Sequence, residues 1–203
     1  MAADRDAATP VPPAPRAGSP GARDQDASYR ICVVCLGNIC RSPMAEVVLR
    51  DELDRAGLGG RVTVQSAGTG DWHLGGPMDA RARAELSRRG YDGSRHIARQ
   101  IRPDWLADYD LFVVMDRKNL ANLRQMAARN HELDNGRLAL MRSFDPVADP
   151  GAEVPDPYHG GPAEYMETFE LVHAAARGLT SRLAEVLADG GEPAGDDAGP
   201  RQH

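Results

Sequence analysis

The sequence predicts an α/β domain: a four-stranded parallel twisted sheet with helices on both faces and a glycine-containing loop after the first strand. Three observations predict it. Short apolar and β-branched runs alternate with longer segments of helical periodicity. Glycines punctuate the changes of period, at Gly57, at Gly59-Gly60 and along 68–77. The first apolar run ends at Cys35 and opens into a loop that closes on Ser42-Pro43, a pair suited to starting a helix.

In chain order, Tyr29 to Cys35 reads as a buried strand. Met44, Ala45, Val48, Leu49 and Leu53 then recur at helical spacing until Gly57, with Ser42 expected as N-cap and Pro43 as the first helical residue. Val62 to Ser66 is a second strand, followed by a Gly-rich loop that carries Trp72. Asp79 to Gly90 reads as a helix closed by glycine. Trp105 falls in a helical pattern and is expected in the core, as is Cys32. Leu111 to Met115 is a third strand, Asp116 to Asn130 a helix, and Arg137 to Met141 a weaker strand resting on Leu138 and Leu140. After a polar loop through Asp156-Pro157-Tyr158, a last helix carries Tyr165, Phe169, Val172, Ala176, Leu179, Leu183 and Val186 on one stripe.

The chain has 203 residues, enough for one domain with a substantial core. Residues 1–27 and 190–203 are nearly devoid of large apolar side chains. They are expected to be disordered, because they bury too little to offset their ordering entropy. The domain is then 28–189. The N-terminal stretch lacks the apolar segment of a secretion signal, and nothing approaches the roughly 20 apolar residues of a membrane span. A soluble, cytoplasmic protein without a membrane partner is expected. A net charge of -6 argues against nucleic acid as a partner. Three cysteines within nine positions suit a reducing compartment rather than a disulfide framework.

Chemistry concentrates in Cys35-Leu36-Gly37-Asn38-Ile39-Cys40-Arg41-Ser42-Pro43. Ligands of such sheets bind at the carboxyl ends of the strands, where Cys35 falls. Backbone N–H groups from Leu36 to Arg41, wrapped around an anion, form a nest, and the following helix adds its free amides. Gly37 gives backbone freedom, and Asn38 tolerates a left-handed conformation better than most residues. Arg41 is suited to bidentate binding of phosphate oxygens. The same donors favour a thiolate at Cys35, a nucleophile for phosphorus. Read alone, Cys32-x-x-Cys35 with Cys40 also admits a metal or dithiol module, but no His or Cys at ligand spacing completes it, and no metal or other cofactor is expected.

The loop resembles the phosphate-binding loop of the low-molecular-weight protein tyrosine phosphatases, bacterial type. Ser-Ala-Gly-Thr-Gly-Asp-Trp (66–72), His-Ile-Ala-Arg-Gln (96–100) and Asp-Pro-Tyr-His-Gly (156–160) agree with the family in order and spacing. The resemblance spans most of Tyr29 to Leu187. It implies hydrolysis of phosphotyrosine through a cysteinyl-phosphate, with Cys35 as nucleophile, Arg41 as phosphate clamp and Asp156 as general acid and base. It implies that Leu36, Gly37, Asn38, Ile39, Cys40 and Ser42 bind the phosphate and that Trp72 and Tyr158 flank the substrate ring. The Ser42 hydroxyl would also stabilise the departing thiolate, and Asn38, Ser66 and His96 would hold the loop in shape. Cys40 would form a reversible disulfide with Cys35 under oxidation. Asp145, also before a proline, is the fallback acid.

The expected partners are phosphotyrosine-containing proteins, a bacterial tyrosine kinase among the candidates, and the expected state is a monomer. His159 stands where the family often has a second tyrosine. An arsenate reductase would need redox cysteines after Cys40, and the chain has none there. A protein-arginine phosphatase would have threonine in place of Ile39 and a different wall in place of Tyr158. Retention of Cys35, Arg41 and Asp156 argues against a catalytically dead phosphotyrosine-binding module.

Overall fold

The computed structural model describes residues 12–13, 29–130 and 135–189. The expected tails lie outside the described residues, Pro12 and Pro13 excepted. Four strands form one sheet: β1 (Tyr29–Cys35), β2 (Val62–Gly68), β3 (Leu111–Val114) and β4 (Leu138–Leu140). Their order is β2-β1-β3-β4 and every pairing is parallel. Ile31 of β1 pairs with Val64 on one side and Leu111 on the other. The chain therefore leaves β1 in one direction and returns on its other side. The carboxyl ends of β1 and β3 meet at this reversal, the usual ligand position in open α/β sheets.

Period-2 alternation along β1 feeds two cores. Tyr29, Ile31, Val33 and Cys35 face one, and Cys32 and Val34 face the other. The first is covered by α1 (Arg41–Arg55), α2 (Ala80–Arg88) and α4 (Pro162–Asp189), through Met44, Val48, Leu49, Leu86, Phe169, Leu179 and Leu183 among others. The second is covered by α3 (Arg117–Asn130) and a short 3-10 helix, Pro103–Ala107, through Leu123, Ala127 and Leu106. Helices thus lie on both faces, as expected. Each large apolar side chain buried this way contributes about 1.5–3 kcal/mol.

Glycine ends two of the helices as the sequence implied. Gly57 (φ 73°) and Gly90 (φ 84°) are left-handed. After each, the next amide reaches back to a carbonyl inside the helix, Leu58 to Leu53 at 2.8 Å and Tyr91 to Leu86 at 3.0 Å.

The structure differs from expectation in four places. Helix α1 begins at Arg41, with Cys40 rather than Ser42 as N-cap and no side chain capping it. The Ser42 hydroxyl is instead used inside the site, and Pro43 falls at the third helical position. Trp105 is half-buried in the 3-10 helix against the second core. Strand β4 is three half-buried residues, and Met141 belongs to the 3-10 turn that follows. At the end of α4 the buried residue is Leu187, not Val186, because the stripe continues four residues on from Leu183. Among the described residues no helix is long and apolar enough to cross a membrane.

Candidate active site

The loop between β1 and α1 is held by its carbonyls. Cys35 O accepts from Thr69 N at 2.9 Å, Leu36 O from Gly70 N at 2.9 Å, and Ile39 O from Asp79 N at 2.9 Å. Asn38 O is bonded to His96 Nε2 at 2.7 Å. A carbonyl only accepts, so His96 donates from Nε2. Burial holds the imidazole below its ordinary pKa, outweighing the bond to Asn38 and the nearby Glu46. Tying the carbonyls outward leaves loop amides for an anion, and the start of α1 adds more.

Asn38 is the non-glycine residue with positive φ (54°) among the described residues. This left-handed turn lets the loop curl back on itself. The side chain is wholly buried and fully engaged. Its Nδ2 donates to Ser42 Oγ and Ser66 Oγ, both at 2.9 Å, and its Oδ1 accepts from Arg99 N at 2.8 Å. Ser66 donates in turn to Glu46, which is paired with Arg50 at 2.7 Å. The expected trio of Asn38, Ser66 and His96 is therefore brought together. Glu46 and the Arg99 amide extend it, and the helical periodicity of 44–53 disguised Glu46 as a surface residue.

Cys35 lies at the bottom, 3% exposed. Its Sγ receives Ser42 Oγ at 3.0 Å and Asn38 N at 3.3 Å, both suited to stabilising a thiolate. Cys40 Sγ contacts Tyr165 Oη at 3.4 Å, and burial pushes its thiol up to about 12, so it stays protonated. All three cysteines are free thiols. Cys32 and Cys35 face different cores, so Cys-x-x-Cys makes no dithiol or metal pair. Among the described residues no cluster of His, Cys, Asp or Glu is placed to hold a metal.

Arg41 is buried and fixed from two sides. Its Nη1 donates to Asp116 Oδ2 at 2.7 Å and to Val154 O at 3.2 Å, and its Nη2 donates to Asp156 Oδ2 at 2.8 Å. Its Nε is buried without a partner. Burial opposes the charge, but Cys35, Asp156 and Asp116 outweigh it and raise the guanidinium pKa. In the sequence Asp116 reads only as a helix start. It serves there too, its Oδ1 accepting from Asn119 N at 2.7 Å. Its position at the carboxyl end of β3 was the available signal.

A cavity of about 280 Å³ opens over Cys35, bounded below by Leu36, Gly37, Ile39, Cys40 and Arg41 and above by Trp72, His73, Asp156, Tyr158 and His159. Trp72 is 70% exposed, its indole lying where a side chain on Gly70 would be. Tyr158 is 39% exposed and stands between His73 and His159, at ring distances of 6.1 and 5.1 Å. Asp145 is buried elsewhere, bonded to Val147 N and Arg142, and does not line this cavity.

Gly68, the last residue of β2, passes directly beneath the loop. A Cβ there would sit 2.8 Å from Leu36 O and 3.1 Å from both Asn38 N and Gly37 C. These are backbone atoms that can yield only by moving the loop. Gly68→Ala is expected to lower kcat/KM by about 10- to 100-fold, the usual effect of displacing a catalytic group by a fraction of an ångström to an ångström. Steady-state kinetics beside a thermal melt checks it; unchanged kinetics would show that the loop is not tightly seated.

Comparison with known proteins follows the same lines. The model of the family described as low molecular weight phosphotyrosine protein phosphatase matches residues 30–189. A low molecular weight protein-tyrosine-phosphatase of Streptomyces coelicolor is 46% identical over 161 residues, covering 79% of this chain and 96% of the relative. The crystal structure of a protein tyrosine phosphatase from Entamoeba histolytica superposes with a TM-score of 0.72 at 30% identity, covering 78% of this chain and 98% of that one. Vibrio vulnificus Wzb in complex with benzylphosphonate superposes with a TM-score of 0.65 at 28% identity, covering 76% and 98%. Four parallel strands, the loop after the first of them and the match across 30–189 agree: this chain is a phosphatase and belongs to the low molecular weight protein-tyrosine-phosphatase family.

Proposed function

We propose that the chain hydrolyses phosphotyrosine in proteins through a cysteinyl-phosphate on Cys35. The observation that carries this is the Cys35 sulfur, receiving Ser42 O–H and Asn38 N–H at the base of the cavity that also holds Arg41 and Asp156. Substrate phosphate enters the loop and takes Nη2 of Arg41 from Asp156, with Nε as a second donor. Asp116 and Val154 keep the guanidinium in place meanwhile. The thiolate attacks phosphorus and the P–O bond to the ring breaks. Asp156, released from Arg41, takes up a proton from solvent and gives it to the leaving phenolate. In the second step Asp156 takes a proton from water as it attacks phosphorus. The P–S bond breaks, inorganic phosphate leaves, and Ser42 and Asn38 stabilise the departing sulfur.

An aromatic leaving group is favoured by Trp72 and Tyr158 at the rim, with Ile39 below. The aromatic phosphonate named with the Vibrio vulnificus relative is consistent with this. Hydrolysis of an aryl phosphate in EDTA tests the reading. Wild type is expected to turn over without added metal. Asp156→Ala should lower kcat by roughly 10²–10⁴-fold, the usual contribution of a general acid. An undiminished rate would remove Asp156 from the mechanism.

A further inference from the structure

We propose that Arg81 is a positioning residue for this reaction, clasping the 155–160 segment to the catalytic loop and so aiming both Asp156 and the Tyr158 wall. The inference rests on the function proposed above and names a residue that function does not use.

Arg81 lies in the first turn of α2 and is exposed. An exposed arginine ordinarily samples many rotamers. Here every nitrogen of its guanidinium is engaged. Nε and Nη2 grip the Asp79 carboxylate at 3.1 and 2.9 Å, and Nη1 donates to Gly160 O at 3.0 Å. The guanidinium carbon stands 5.7 Å from the Tyr158 ring centre and 4.9 Å from that of Tyr165. Asp79 is itself attached to the catalytic loop, its amide donating to Ile39 O at 2.9 Å. A chain of contacts thus runs from Ile39 through Asp79 and Arg81 to Gly160.

The acid segment has few other anchors. Within it, Gly160 N bonds Pro157 O at 2.8 Å and Tyr158 N bonds Asp156 Oδ1 at 3.4 Å, which makes 156–160 one compact turn. Among the described residues, two hydrogen bonds join that turn to the rest of the protein: Asp156 to Arg41, and Gly160 to Arg81. The first is the one a substrate phosphate displaces. During proton transfer Arg81 is then the turn's remaining hydrogen-bond tether, beside the buried Pro157. Lysine is a poor replacement, since one ammonium does not reproduce a planar fork that meets Asp79 and Gly160 together.

The test compares two aryl phosphates in EDTA: 4-nitrophenyl phosphate, whose phenolate leaves readily, and phenyl phosphate, whose phenolate needs a proton. The parameter is kcat/KM, which reports the step ending in phenolate departure. Arg81→Ala is expected to lower kcat/KM for phenyl phosphate by about tenfold or more and for 4-nitrophenyl phosphate by less than about threefold. Arg81→Lys should fall between, with a melting temperature near wild type. Adding Arg81→Ala to Asp156→Ala should leave the ratio between the two substrates unchanged, because only the acid distinguishes them and the Tyr158 wall serves both alike. Equal losses on both substrates, or none, would overturn the assignment and leave Arg81 a structural residue. Inactivity of the wild type on both would instead overturn the phosphatase mechanism, a result distinct from either.

Discussion

Cys35→Ser removes aryl-phosphate turnover in EDTA and leaves the fold intact: this is the largest effect expected of any single substitution. The hydroxyl nearly matches the thiol in size, so the buried site should accept it and the melting temperature should stay close to wild type. Reactivity does not survive the exchange. Ser42 Oγ and Asn38 N are placed to stabilise an anion at this atom, and a serine hydroxyl does not ionise near neutral pH without a base beside it. His96 donates to a backbone carbonyl and is not available as that base, and among the described residues neither His73 nor His159, which line the cavity, is bonded to the sulfur. Deleting a nucleophile that acts with its neighbours as a unit costs on the order of 10⁶-fold in kcat. Kinetics on the folded variant, verified by circular dichroism, checks this. Activity within tenfold of wild type would place the nucleophile elsewhere.

Gly178→Ala should produce a large loss of stability. Helix α4 packs its backbone directly against the 3-10 turn Met141–Phe144. A Cβ on Gly178 would lie 1.8 Å from Phe144 O and 3.0 Å from Phe144 C. Two effects oppose each other. Alanine is the better helix former by about 1 kcal/mol. Inserting a methyl group where there is no space costs typically 1–3 kcal/mol and sometimes more, and here the obstacle is a main-chain carbonyl. A contact of 1.8 Å with main chain puts the cost in the upper part of that range, about 2–3 kcal/mol, so the steric effect wins and a net loss of about 1–2 kcal/mol is expected. For a chain of this length that is a fall in melting temperature of roughly 2–8 °C. A rise in melting temperature would mean that the two elements separate easily. Residues 141–144 lead into the segment that carries Val154 and Asp156, so catalysis should weaken as well.

Much of this site was legible in the residues themselves. The apolar run ending at Cys35, Gly37-Asn38 within the loop and Ser42-Pro43 after it placed a cysteine and a guanidinium at a strand end, where the sheet delivers them. Gly57 and Gly90 announced their helix ends because only a left-handed residue closes that turn without strain. What escaped depends on contacts distant along the chain. Asp116 and Arg41 meet because β3 lies beside β1, a fact of sheet order that no local pattern carries. Glu46 sits on α1 at a position that periodicity does not mark, yet it is buried to receive Ser66. Ser42 misled in the other direction. Its residue type suits a cap, but Arg41 is already helical and the hydroxyl has a stronger claim at the sulfur.

The cysteinyl-phosphate is the central claim, and its capture tests that claim most directly. If Asp156 is the base proposed above, Asp156→Ala slows the hydrolytic step, and the intermediate should accumulate from a substrate with a good leaving group such as 4-nitrophenyl phosphate. Acid quenching within the first turnover, followed by peptide mass mapping, is expected to find one phosphoryl group on the peptide containing Cys35, bound to its sulfur and absent from Cys35→Ser. Phenolate release with the phosphoryl group on another residue, or with Cys35 unmodified throughout, would contradict it.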